Sequence, residues 1–257
     1  MNKPSFLTTP QGRRIAYRQT AATHGAVSTP GIVFLCGLKS DMHGTKAVDL
    51  EDWAHREGRA FLRFDYSGHG ESDGAFTDGS IGDWAQDAEA AITMLTDGPQ
   101  ILVGSSMGGW LSLLMTQRLP GRVAGLVTIA AAPDFTEDGM WAGFDAAQRE
   151  ALARDGQVAL PSDYGEPYII TKRLIEDGRN HLLLRAPIPL PFPTRFLIGT
   201  ADEAVDLSVA YRLMERASGP DIRLTLVKDA DHRFSTPECL RLIREQVMQV
   251  SASIAGE

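Results

Sequence analysis

Short apolar runs alternate with amphipathic stretches along this chain, and that rhythm predicts an α/β protein built from βα units. GIVFLCG (31–37), RAFLRFDY (59–66), QILVGSS (100–106), AGLVTIAAA (124–132), TRFLIGT (194–200) and RLTLVKD (223–229) read as strands. Their near-continuous apolar character suits parallel strands covered by helices on both faces. SFLTT and RIAYRQT flank Pro10-Gln11-Gly12 and read as an antiparallel hairpin at the sheet edge. The expected fold is a mostly parallel, eight-stranded sheet.

The amphipathic stretches supply helices. TKAVDLEDWAHREG (45–58) spaces Ala47, Leu50 and Ala54 on one face and stops at Gly58. Ser80 caps a second stretch over 81–95, whose apolar face carries Trp84, Ala88, Ala91 and Leu95. Further helices are expected over 107–118, 207–217 and 236–254. One interval breaks the rhythm. Residues 134–194 separate two strands by more than an ordinary connection and hold helical pieces near 144–154 and 170–177. They read as a short cap inserted over the C-terminal edge of the sheet, where open α/β sheets bind ligands. The alternative is a plain excursion of surface helices.

Length and composition agree with one domain over 1–257: the chain is 43% hydrophobic and 23% charged. A net charge of −8 argues against nucleic acid and against a polybasic membrane contact. No run approaches a membrane span, and the N-terminal stretch has no apolar signal region. Cys36 and Cys239 form neither a disulfide framework nor a zinc site, and the pattern fits a reducing, cytoplasmic setting.

Gly104-Ser105-Ser106-Met107-Gly108 matches G-x-S-x-G, with QILVG before it as a strand and MGGWLSLLMTQRL after it as a helix. That context is the nucleophile elbow, a sharp turn that exposes a serine above a helix N-terminus. Only Ser106 has glycines at both offsets. A phosphate loop would need Gly-Lys-Ser/Thr, and the turn has no lysine. Gly68-His69-Gly70-Glu71-Ser72-Asp73 places Asp73 where a dinucleotide fingerprint needs its last glycine.

A serine nucleophile needs a base, and the base needs an orienting acid. With this elbow they follow in the order serine, acid, histidine. Only His181 and His232 come after Ser106, and His181 lies inside the expected cap. His232, in the loop after the last strand, is the expected base. Asp202, after TRFLIGT, is the expected acid. Asp134 competes, because it ends the strand before the inserted segment. Glu203 and Asp206 read as loop charges. The oxyanion hole should take backbone N–H groups from Met107 and from the Cys36–Ser40 loop, where Leu38 is the candidate. Met42, Trp110, Phe135, Trp141 and Tyr164 are candidates for an acyl pocket, with core packing as the alternative for each.

With these motifs in place, the chain resembles the α/β-hydrolase superfamily along its whole length. Arg63-Phe64-Asp65-Tyr66-Ser67-Gly68-His69-Gly70-Glu71-Ser72 resembles the loop after the family's fourth strand. Gly199-Thr200-Ala201-Asp202-Glu203-Ala204-Val205 resembles its acid motif. HGTKA (43–47), RFDYSGHGESDG (63–74), DGPQILVGSSMGGWL (97–111), LPSDY (160–164) and HLLLRAPIPLPFPTRFLIGTADEAV (181–205) are similar to the mitochondrial palmitoyl-protein thioesterase and acyl-glucuronide esterase family. The resemblance implies hydrolysis of esters or thioesters, with Ser106, Asp202 and His232 where the family keeps its triad. Cys36-Gly37 departs from the His-Gly pair common in esterases, which leaves the backbone donor but alters the loop's side-chain bonding.

The expectation is a carboxylesterase that works through an acyl-enzyme, with no metal or organic cofactor. Its partner is a small-molecule ester or thioester. One rival is a thioesterase for longer acyl chains. Another is a non-catalytic small-molecule receptor on the same fold, against which the complete triad speaks. A dehalogenase would need a carboxylate in the elbow.

Overall fold

The computed structural model describes residues 3–23, 29–161 and 167–256. Twelve strands appear among them: β1 (Ser5–Thr8), β2 (Arg14–Thr20), β3 (Gly31–Leu35), β4 (Phe61–Phe64), β5 (Gln100–Ser105), β6 (Val123–Ile129), β7 (Gln157–Leu160), β8 (Tyr168–Thr171), β9 (Ile188–Pro189), β10 (Thr194–Gly199), β11 (Ala217–Ser218) and β12 (Ile222–Val227). The helices are α1 (Thr45–Arg56), α2 (Ile81–Leu95), α3 (Met107–Arg118), α4 (Ala146–Asp155), α5 (Lys172–Gly178), α6 (Leu207–Arg216) and α7 (Pro237–Ala255).

Eight strands form one sheet in the order β1-β2-β4-β3-β5-β6-β10-β12. The β1–β2 and β2–β4 pairs are antiparallel and the remaining pairs are parallel, so the expected edge hairpin and parallel body are both present. Every residue of β3, β4, β5 and β10 is buried. Successive side chains point to opposite faces, so this requires cover on both. Helix α1 packs with α7, and α2 packs with α3.

The strands are trimmed relative to their apolar runs. β6 stops at Ile129 because Ala130 takes φ 48, outside any strand conformation. β4 stops at Phe64, and the buried carboxylate of Asp65 that follows accepts N–H groups from the loop after β3 and from its own loop.

Between β6 and β10 the chain makes its long excursion. A π-helix over Phe135–Trp141 leads into α4, which starts at an Asp145/Gln148 capping box. A hairpin of β7 and β8 follows, then α5, whose first turn is capped by Thr171. The sequence pattern placed helix at 170, whereas Tyr168–Thr171 is strand. The excursion is fastened to α2: Asp177 accepts the Gly82 N–H at 2.7 Å, and Arg173 pairs with Asp83. Among the described residues no helix is long and apolar enough to cross a membrane.

Candidate active site

Ser106 sits between the end of β5 and the start of α3, at φ 55 and ψ −118. This is a costly backbone for a residue with a Cβ, and it survives only where neighbours over-determine it. They do so here: the Ser106 N–H donates to the Ile129 carbonyl at 2.9 Å, and the Ser106 carbonyl accepts from Ala132 N–H at 3.1 Å. The flanking glycines are steric requirements. A Cβ on Gly108 would lie 2.0 Å from the Leu35 carbonyl oxygen, and one on Gly104 would lie 2.3 Å from that of Gly108. Helix α3 can therefore start directly beneath the serine. Ser105 is the buried last residue of β5.

Because β5, β10 and β12 run parallel in one sheet, the loops that follow them emerge at the same edge. Asp202 follows β10 and His232 follows β12. The His232 Nδ1 lies 3.0 and 2.9 Å from the two Asp202 carboxylate oxygens. An acceptor-only carboxylate there fixes the proton on Nδ1 and leaves Nε2 as the basic nitrogen. The Asp202 side chain is wholly buried, and its Oδ1 also accepts from the Ala204 and Val205 N–H groups, both at 2.9 Å. The imidazole is partly exposed. Two bonds join the loops: Asp229 N–H to Thr200 Oγ1 at 2.8 Å and Ala201 N–H to the Ala230 carbonyl at 3.0 Å.

The other acids have different partners. Asp134 is buried and accepts the N–H groups of Leu183 and Leu184 at 2.7 and 2.9 Å, with Arg185 at 3.3 Å. It ties the start of the excursion to its return. Burial pushes its carboxyl up from the ordinary range, against those N–H bonds. Asp206 caps α6 through the Ser208 N–H. His181 faces Asp177 within the excursion.

The loop after β3 borders the serine. A Cβ on Gly37 would stand 3.3 Å from the Ser106 Cβ. Gly37 opens a turn closed by Ser40 N–H to the Gly37 carbonyl at 3.1 Å, with Lys39 at φ 55. Leu38 takes the second position of that turn, whose N–H the turn bond does not use. Met107 is the first residue of α3, so its N–H has no acceptor within the helix. Burial pushes the Cys36 thiol well above its ordinary range, and it donates to the Asp41 carbonyl, so it is an inert core group.

The pocket candidates fall in different surroundings. Met42 and Trp110 have no accessible surface, so neither lines an open cavity in this conformation. The Trp110 Nε1 donates to the His181 carbonyl at 3.0 Å, and its ring meets Phe135 edge-on at 5.5 Å. Trp141 contacts Phe144, Arg149 and Arg179, all of the excursion, at a shallow cavity of about 70 Å³ also lined by Leu152 and Ile175. Tyr164 lies outside the described residues.

Sequence reading missed Asp65. Wholly buried, it accepts the N–H groups of Met42 at 2.6 Å and Glu71 at 2.9 Å. Burial pushes its carboxyl up to about 6. A Cβ on Gly70 would collide with it at 2.2 Å, which explains a glycine at φ 48 there. The only sequence signal is an aspartate at the end of an apolar run followed by Ser67-Gly68-His69-Gly70.

Comparison with known proteins agrees with this architecture. A family model described as the alpha/beta hydrolase fold matches residues 49–176. The rat protein named palmitoyl-protein thioesterase ABHD10, mitochondrial, is 36% identical over 241 residues, covering 93% of this chain and 79% of its own. A solved structure from Agrobacterium vitis S4 is 39% identical with a TM-score of 0.92, covering 97% of this chain and 98% of its own. Mouse alpha/beta hydrolase domain-containing protein 10 is 33% identical with a TM-score of 0.86, covering 96% of this chain and 98% of its own. Identity at that level over nearly the full length places the chain among the α/β hydrolases, as a member of the ABHD10 palmitoyl-protein thioesterase family.

Proposed function

We propose that this α/β hydrolase cleaves esters or thioesters of carboxylic acids through a Ser106–His232–Asp202 triad. The observation that carries the reading is the buried Asp202 carboxylate held on His232 Nδ1, at the same sheet edge as a serine locked at φ 55. His232 Nε2 takes the Ser106 proton as Oγ attacks the acyl carbonyl. The C–O or C–S bond then breaks, and the imidazolium gives its proton to the leaving alcohol or thiol. Water, deprotonated by the same imidazole, attacks the acyl-enzyme and releases the acid. Asp202 holds the ring's tautomer and stabilises its charged form. The N–H groups of Leu38 and Met107 stabilise the oxyanion in both steps.

Two substrate classes fit this chemistry, carboxylic esters and thioesters of longer acyl chains. The name of the rat relative, palmitoyl-protein thioesterase, favours the second. The excursion between β6 and β10 acts in this reading as the cap that shapes the acyl site. Turnover of p-nitrophenyl esters of rising chain length, beside S-acyl thioesters, separates the two classes. Wild type should be labelled by a fluorophosphonate, and Ser106→Ala should neither label nor turn over. A Ser106→Ala variant with full activity overturns the reading.

A further inference from the structure

Lys46 stands in an electrostatically poor place. It is the second residue of α1, at a helix N-terminus whose partial positive charge disfavours a cation. No acidic residue occupies that first turn to compensate. Burial also pulls its ammonium below the ordinary lysine range, although the carboxylates of Asp231 and Asp202 oppose this. Such a placement needs a compensating bond. The Lys46 Nζ supplies one across the molecule, donating to the Arg233 backbone carbonyl at 2.5 Å.

That carbonyl belongs to the peptide joining Arg233 to Phe234. Phe234 is fully buried at φ 49, a strained conformation for a bulky residue. Its N–H donates to the Asp231 carboxylate at 3.0 Å. The segment after β12 is thus pinned at Asp229 by Thr200, at His232 by Asp202, and at the Arg233–Phe234 peptide by Lys46. The first two anchors come from the acid's side of the site. Lys46 alone of the three comes from α1, which directly follows the loop carrying Leu38.

We propose that Lys46 is a positioning residue for His232, fixing the loop that carries the imidazole through the Arg233 carbonyl and keeping it in register with the oxyanion loop. This rests on the triad reading above. The bond is charge-assisted, which makes it stronger than a neutral contact at the same place. A loop released by about 1 Å moves the base off its line to Ser106, and misplacement on that scale costs about 10- to 100-fold in rate.

The test is steady-state hydrolysis of p-nitrophenyl butyrate by wild type, Lys46→Met, Lys46→Gln and Lys46→Arg, with thermal midpoints measured in parallel. Lys46→Met should lower kcat about 10- to 100-fold with little change in KM. Lys46→Arg, which keeps a charged donor, should recover most of the loss. The split between kcat and KM, read together with rescue by Lys46→Arg at matched thermal midpoints, supplies the readout that lost stability would not move. A folded Lys46→Met with wild-type kcat overturns the proposal, as does a folded Lys46→Arg no better than Met. If Lys46→Met does not fold, Lys46→Gln is judged by the same criteria. Absence of Ser106-dependent turnover in wild type would overturn the triad reading itself, a separate outcome.

Discussion

The Asp65 carboxylate accepts the Met42 backbone N–H at 2.6 Å, and this bond fastens the loop after β4 to the loop that carries Leu38. Arg63 reinforces it by donating to the Met42 carbonyl at 2.5 Å while also pairing with Glu51. Asp65→Ala would leave the Met42 N–H buried without an acceptor and open a void around it. The expected cost is about 2–4 kcal/mol in urea unfolding at pH 7, with a drop in kcat as the loop carrying Leu38, the proposed oxyanion donor, loses its support. An unchanged unfolding midpoint would show that the contact contributes nothing.

The same carboxylate gives stability a pH dependence. Burial raises Asp65 from the ordinary 3.8 to about 6, so at pH 5 the folded chain holds a proton that the unfolded chain has released. This contribution is complete below about 3.8 and is lost as the pH rises through about 6. The gap corresponds to about 3 kcal/mol. Asp65→Asn cannot ionise, so the stability of wild type minus that of Asp65→Asn should fall by about this amount between pH 3.5 and 7.5. Urea titrations of both proteins across that range measure it. A flat difference would mean that Asp65 does not titrate with folding.

How much of this was legible follows from where each signal lies along the chain. The parallel strands were readable because full burial on both faces leaves continuous apolar runs, and Ser106 because its elbow needs glycines at fixed offsets. Asp202 and His232 were nominated by chain order; only the fold brings them together across 30 residues. The β7–β8 hairpin was illegible, since its strands are four residues each with mixed burial. Trp141 was nominated for its chemistry, but its ring packs against Arg149 and Arg179. Asp65 and Lys46 lie inside stretches quoted for their resemblance, but their bonds to Met42 and Arg233 cross the chain and leave no periodicity from which a role could be read.

Asp134 and Asp202 competed for one role in the sequence, and their partners now predict opposite phenotypes. Asp202→Asn leaves His232 Nδ1 facing an amide, so the tautomer is no longer fixed. Turnover should fall about 10³- to 10⁴-fold with the unfolding midpoint only modestly changed. Asp134→Ala instead strands the Leu183 and Leu184 N–H groups at the base of the excursion. It should cost about 2–4 kcal/mol of stability, while fluorophosphonate labelling of the folded fraction persists at low temperature. Stopped labelling in a folded Asp134→Ala, with Asp202→Asn still active, would reverse the assignment.

Ser106 carries the strain of the elbow in its own backbone, and that strain is measurable apart from the chemistry. At φ 55 and ψ −118 a residue with a Cβ bears about 1–3 kcal/mol, whereas glycine adopts the same angles freely. Glycine gives back about 0.5–1 kcal/mol through the entropy of the unfolded chain. Ser106→Gly should therefore be more stable than Ser106→Ala by about 1 kcal/mol, although both lack the hydroxyl. Ser106 is the N-cap of α3, where glycine already ranks above alanine, and the strain adds to that preference. Urea unfolding of the pair decides it: if alanine is equal to or better than glycine, the turn is not strained at Ser106, and the bonds from Ile129 and Ala132 are not holding a costly conformation.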